Sequence, residues 1–167
     1  MNVKKNVFIL SLCQAFFTST TSVLALTAGL IGYQLIKFNQ AYATIPISAM
    51  VIGTAISTSI VARLMNAKGK KSAFIIGNYI AIFGCLVCLF AIYYKLFWFF
   101  TFGIFLIGCF SAFAHQYRFA AADISDKKFR PKAISLVLAG GVFAAYIGPE
   151  IATRTSGFFV NYLYLGS

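Results

Sequence analysis

"FWFFTFGIFLIGCFSAFA", Phe97 to Ala114, contains no charged residue, and "HQYRFAAAD", His115 to Asp123, follows it directly. A helix crosses the hydrocarbon core of a bilayer, about 30 Å, with about 20 consecutive apolar residues. Lipid offers no water to backbone N–H and C=O groups, so an apolar run of this length is helical. The second stretch brings an imidazole, an amide, a phenol, a guanidinium and a carboxylate in quick succession. It is either the wet end of a membrane helix or a working surface within one.

Working outward, the same apolar pattern recurs on both sides. Helices are expected at 6–30, 43–65, 73–93, 97–122 and 133–153, in a single transmembrane domain over residues 1–167. The expected fold class is an all-α membrane protein. Hydrophobic residues make up 60% of the chain, charged residues 10%, and the mean hydropathy is +0.86. A soluble domain carries about 25% charged residues. The formal charge of +11 would suggest nucleic acid in a soluble protein. Here the charges lie between apolar segments, so the partner they imply is the lipid bilayer and no nucleic acid.

Those charges alternate. Lys4 and Lys5 precede the first helix, Arg63, Lys68, Lys70 and Lys71 surround the second connection, and Lys127, Lys128, Arg130 and Lys132 the fourth. The opposite side holds Lys37, Lys95 and Arg154. The positive-inside rule puts the N-terminus in the cytoplasm of a multi-pass protein of the cell (inner) membrane, and the C-terminus outside. Tyr33, Tyr42, Tyr93, Tyr94, Trp98, Phe158, Tyr162 and Tyr164 form an expected aromatic belt at the outer boundary. "LSLC", Leu10 to Cys13, hints at a lipoprotein box, but Leu12 is too large for one and the apolar run continues to Gly32. An uncleaved first helix is the reading.

Covalent chemistry is poorly provided for. The chain has one His and three acids, and Cys13, Cys85, Cys88 and Cys109 all lie in apolar segments. Cys85 and Cys88 form a CxxC with no second pair to complete a zinc site. No enzyme activity, no metal and no cofactor are expected.

The helix faces are more informative. Small residues recur every four positions at Gly140, Ala144, Gly148 and Ala152, and at Ala49, Gly53 and Ser57. Such ridges pack closely against another helix, either within this domain or on a partner domain. Pro149 removes a hydrogen bond inside the fifth helix and predicts a bend. Glu150 beside it is either paired with Arg154 one turn on or a protonatable group in ion coupling. Ser11, Gln14, Thr18 and Thr21 form a polar seam on the first helix, which suits a wet cavity or an interhelical hydrogen-bond network.

In this layout the chain resembles the N-terminal half of a major facilitator superfamily transporter. "NAKGKKS", Asn66 to Ser72, is similar to the superfamily's loop motif Gly-x-x-x-Asp-(Arg/Lys)-x-Gly-(Arg/Lys)-(Arg/Lys). Gly69, Lys70 and Lys71 match its second half, while Asn66 stands where the Asp belongs and Ala62 replaces the first Gly. Asp123, Arg130 and Ala133 fit the superfamily's exit from helix four. "AYIGPEIA" is similar to the antiporter-type motif of helix five, with Gly148 and Pro149 matched. Helix four departs from the pattern: Ile104 and Ile107 occupy the usual Arg and Gln positions before Gly108.

The resemblance implies five helices of a six-helix N-terminal bundle, with helices one and four lining a cavity and helices two and five facing a second bundle. It implies secondary active transport of a small solute by alternating access, with a proton as a candidate coupling ion. The substrate-cavity candidates are Gln14, Thr18, His115 and Arg118; Arg118 also reads as a charge snorkelling to the cytoplasmic interface. The sixth helix and C-terminal bundle are expected to be absent, through truncation or because a separately encoded remainder supplies them. Alone the chain is not expected to transport. The alternative is a non-transporting accessory or scaffold subunit.

Overall fold

A computed structural model describes residues 3–36 and 40–155. The chain runs α1 (Val3–Leu35), a 3₁₀ turn (Gln40–Thr44), α2 (Ile45–Lys68), α3 (Lys70–Tyr93), α4 (Phe97–Ala114), α5 (Tyr117–Asp123) and α6 (Arg130–Thr155). Lys37, Phe158, Tyr162, Tyr164 and the side chain of Ala152, used in the sequence reading, lie outside the described residues. No strand occurs among those described. Five helical spans are long and apolar enough to cross a membrane, α4 and α5 together forming the fourth, Phe97–Asp123. The protein is an all-α, multi-pass membrane protein.

Apolar side chains cover the outside. Phe16, Trp98, Phe143 and Tyr146 are each more than 70% exposed. A water-soluble surface rarely carries contiguous apolar patches of this extent, whereas lipid solvates them at no cost. Tyr33, Tyr42, Tyr93, Tyr94 and Trp98 are exposed too, as a belt at a membrane boundary requires.

The helices start and stop for local reasons. Pro46 sits in the first turn of α2, where its missing N–H costs nothing. Gly69 alone joins α2 to α3 at φ 80° and ψ 158°, a conformation that only glycine adopts cheaply. The fifth span begins at Arg130 rather than at Ala133. The N–H groups of Phe129 and Arg130 already bond to the Asp126 carbonyl at 2.8 and 2.9 Å, so helical geometry precedes the apolar run. α1 likewise extends into its polar flanks, because hydropathy reports burial in lipid and not backbone hydrogen bonding.

The fourth span is the hub: 61% of its most apolar window is buried, against 17–22% for the other four spans. α4 packs against α2 on one side and α3 on the other, while α1 packs mainly on α6. Glycines set these approaches. A Cβ on Gly108 would stand 2.2 Å from the Met50 carbonyl oxygen, and one on Gly53 2.5 Å from that of Phe105. Thr54 Oγ1 donates to the Gly108 carbonyl across the same crossing at 2.9 Å. On the other side, a Cβ on Gly103 would stand 2.5 Å from Cys88 Sγ, and one on Gly77 2.8 Å from the Phe113 ring. Both small-residue ridges pack within this chain: Gly53 meets α4, and Gly140 and Gly148 meet Ser11 and Ser19 of α1.

The fourth span is not one unbroken helix. The Gln116 N–H bonds to the Phe113 carbonyl, three residues back, at 3.0 Å, and the four-residue ladder resumes with Ala120 on Gln116 at 2.9 Å. A tightened turn therefore separates α4 from α5 at His115 and Gln116.

Candidate functional site

The polar residues read as a site fall around this turn and along the α1–α6 seam. Gln14 is buried. Thr18 Oγ1 lies 2.9 Å from its own helix's Gln14 carbonyl and 3.0 Å from the Gly141 carbonyl of α6. Ser11 Oγ donates in the same way to the Leu136 carbonyl at 3.0 Å. Of the two readings of the seam, an interhelical hydrogen-bond network describes Ser11 and Thr18 as they stand here. Gln14 and Thr18 both lie where a Cβ on Gly141 would meet them, at 3.3 Å.

His115 is exposed. Its ring stands edge-on to Phe17 at 5.5 Å between centroids, and Phe17 in turn meets Phe110 edge-on at 5.9 Å. Phe17 thus links α1 to the turn in the fourth span, one helical turn from Gln14 on the same face. Arg118 is half-buried, with its guanidinium carbon 5.0 Å above the ring centre of Phe119. Its Nε is buried and makes no hydrogen bond among the described residues. A buried donor without a partner carries a desolvation cost, and an anionic or hydrogen-bond-accepting ligand would relieve it. Tyr117 packs on Phe74 at 4.9 Å within the apolar core that also holds Phe17.

The motif residues have defined roles. Lys70, the first residue of α3, forms an ion pair with Asp123, the last residue of α5. Arg130 Nε donates to the Ala122 carbonyl at 3.1 Å, beside the Ser125 N–H that the same carbonyl accepts at 3.2 Å. These two contacts tie the fourth span's polar end to its neighbours on both sides. Asn66 and Lys71 are exposed. Gly148 is buried against Ser19. Glu150 is bound by Arg154, with Oε1 2.7 Å from Nη2 and 2.9 Å from Nε, which settles its pairing. Ile104 and Ile107, at the usual Arg and Gln positions of helix four, are buried in the core with Ala28, Ile31 and Cys88. The sequence reading missed Phe17, whose signal was an aromatic one turn after Gln14, and the joining of Lys70 to Asp123, whose signal was opposite charges at the same end of adjacent spans.

An apolar helical bundle with polar groups at one end and along one seam defines the class as a polytopic membrane protein. The chain is 28% identical over 164 residues to the riboflavin transporter RfnT of Brucella anthropi, which covers 98% of this chain and 41% of that protein. It is 27% identical over 159 residues to the uncharacterized MFS-type transporter YdeG of Bacillus subtilis, covering 95% of this chain and 36% of that one. No family model and no solved structure matches. The chain is similar to the matched parts of these two transporters, and it spans about two fifths of the length of the curated relatives it matches.

Proposed function

We propose that this chain forms one wall of a secondary carrier that moves a small solute across the inner membrane by alternating access. The observation that carries the reading is its likeness, over nearly the whole chain, to two transporters. The N-terminus and the basic connections lie in the cytoplasm, which puts Arg118 and His115 in the cytoplasmic half of the path. A conjugated polar ring is the first solute to test. One relative is named a riboflavin transporter, and an arginine with an unsatisfied Nε over the Phe119 ring suits ring stacking and acceptor atoms. With Glu150 held by Arg154, His115 is the group left to carry a coupling proton. Alternating access needs an opposing wall, so these five helices reconstituted alone are inactive.

Riboflavin uptake is measured in a riboflavin-requiring bacterium that expresses these residues joined to a complementary C-terminal bundle. Arg118→Ala abolishes uptake there while membrane insertion is unchanged; normal uptake in the variant removes Arg118 from the path. Uptake by liposomes holding residues 1–167 alone would refute the dependence on a second wall.

A second reading, a scaffold subunit, draws on one observation: both small-residue ridges and the Ser11 and Thr18 hydroxyls are used in packing within the chain. Single cysteines at Gln14, Thr18 and His115, with the four native ones replaced, separate the two. Labelling from water at any of these sites in a complete assembly supports a carrier. Protection at all three supports the scaffold.

A further inference from the structure

α1 and α6 begin side by side at the basic end of the bundle, and a cavity of about 310 Å³ opens between their first turns. Lys4 and Lys132, both exposed, stand at its mouth, and Val7, Phe8 and Leu136 form its walls. Leu136 lies one turn below Lys132, about 6 Å deeper, and Ser11 about 10 Å below Lys4. Ser11 has its hydroxyl committed to the Leu136 carbonyl, so the deep part of the cavity offers no free donor there. No carboxylate lines the cavity. Asp123, at the end of α5, is held by Lys70, and Asp126, in the α5–α6 connection, is exposed.

A cationic mouth at the membrane boundary over apolar walls one to two turns deep calls for a ligand that is anionic at one end and hydrocarbon at the other. A soluble anion would leave the walls unused, and an apolar helix would leave the lysines unpaired. We propose that this cavity is a binding site for an anionic phospholipid of the surrounding bilayer. Its phosphate lies between the Lys4 and Lys132 ammonium groups, and an acyl chain runs along Val7, Phe8 and Leu136. The site requires only that the chain spans a membrane and is independent of the transport reading.

The full chain is reconstituted in phosphatidylcholine liposomes doped with a photoactivatable phosphatidylglycerol or, separately, a photoactivatable phosphatidylcholine. Labelled peptides are then mapped by mass spectrometry. Each lysine near a membrane surface adds about fivefold to anionic-lipid affinity, so about thirtyfold is expected for two. Phosphatidylglycerol is expected to label the peptides spanning 4–11 and 129–136 in that excess over phosphatidylcholine. Lys4→Gln with Lys132→Gln lowers the labelling to the phosphatidylcholine level, Lys4→Arg with Lys132→Arg keeps it, and Lys68→Gln with Lys71→Gln leaves it unchanged. Equal labelling by the two lipids, labelling retained in the Lys4/Lys132 glutamine variant, or an equal loss in the Lys68/Lys71 control would overturn the site; the last result means a diffuse basic surface.

Discussion

Two glycines do opposite jobs, and alanine substitution separates them. Gly69 makes the whole α2–α3 connection, and a Cβ there would meet nothing within 4 Å. Gly69→Ala therefore tests backbone strain alone. It should cost about 1–3 kcal/mol, seen as a lower thermal midpoint in detergent micelles with the helix content intact. Gly108 has ordinary helical geometry, but its missing Cβ is where the Met50 carbonyl passes at 2.2 Å. Gly108→Ala must push α2 away from α4, an overpacking cost of about 1–3 kcal/mol or more. Cysteine pairs placed across the α2–α4 crossing should cross-link less efficiently in that variant and normally in Gly69→Ala. The Lys70–Asp123 pair differs again. Both side chains are about half exposed, and exposed pairs contribute about 0–1 kcal/mol. Asp123→Asn should leave the midpoint within that margin, and a larger fall would mean that the pair is shielded from water in the bilayer.

At the scale of elements, α1 and α6 are joined by two kinds of contact whose weights differ. The hydroxyl bonds from Ser11 and Thr18 to α6 carbonyls are of a class measured at about 0.6 kcal/mol on average in membranes. Thr18→Val should therefore weaken the pair only slightly. Gly148→Leu places a large side chain where a single Cβ would already stand 2.5 Å from Ser19 Oγ and 2.8 Å from its carbonyl oxygen. It should separate the helices, lowering cross-linking between cysteines at exposed neighbouring positions of α1 and α6. The five spans were legible from apolar length alone, because lipid demands that length of any helix that crosses it. The hub role of the fourth span was not. Gly103 and Gly108 show no period that distinguishes a helix packed on both sides from one facing lipid, and lipid-facing and buried positions are both apolar. The polar seam was legible as a seam, but Ser and Thr serve a cavity and a helix contact with the same hydroxyl, and only the position of the Gly141 carbonyl tells which. The turn at His115 and Gln116 carried no proline or glycine signal, so the fourth span read as one helix.

Across the whole molecule, most of the charge among the described residues lies at one end. Lys68, Lys70 and Lys71 flank the α2–α3 connection, Lys127 and Lys128 lie between α5 and α6, and the α3–α4 connection has Lys95 alone. Lys and Arg in short connections retain them on the cytoplasmic side during insertion, whereas acids count for little, so Asp126 does not offset its neighbours. Alkaline phosphatase fused at Lys95 should be active, and fused at Lys71 or Lys128 inactive; green fluorescent protein should give the reverse pattern. Neutralising Lys68, Lys70, Lys71, Lys127 and Lys128 together should weaken the orientation and give a mixed population, because Lys4, Lys5, Arg63, Arg130 and Lys132 are then left against Lys37, Lys95 and Arg154. The experiment bears on mechanism as well as topology. Asp123, Arg118 and His115 sit at the end of the fourth span that faces the basic connections, as the Lys70–Asp123 pair shows. If the phosphatase is active at Lys128 and silent at Lys95, the bundle is inverted. On the proposed carrier reading, Arg118 would then stand at the outer mouth of the path, and a coupling proton on His115 would be taken up from the outside rather than released to the cytoplasm.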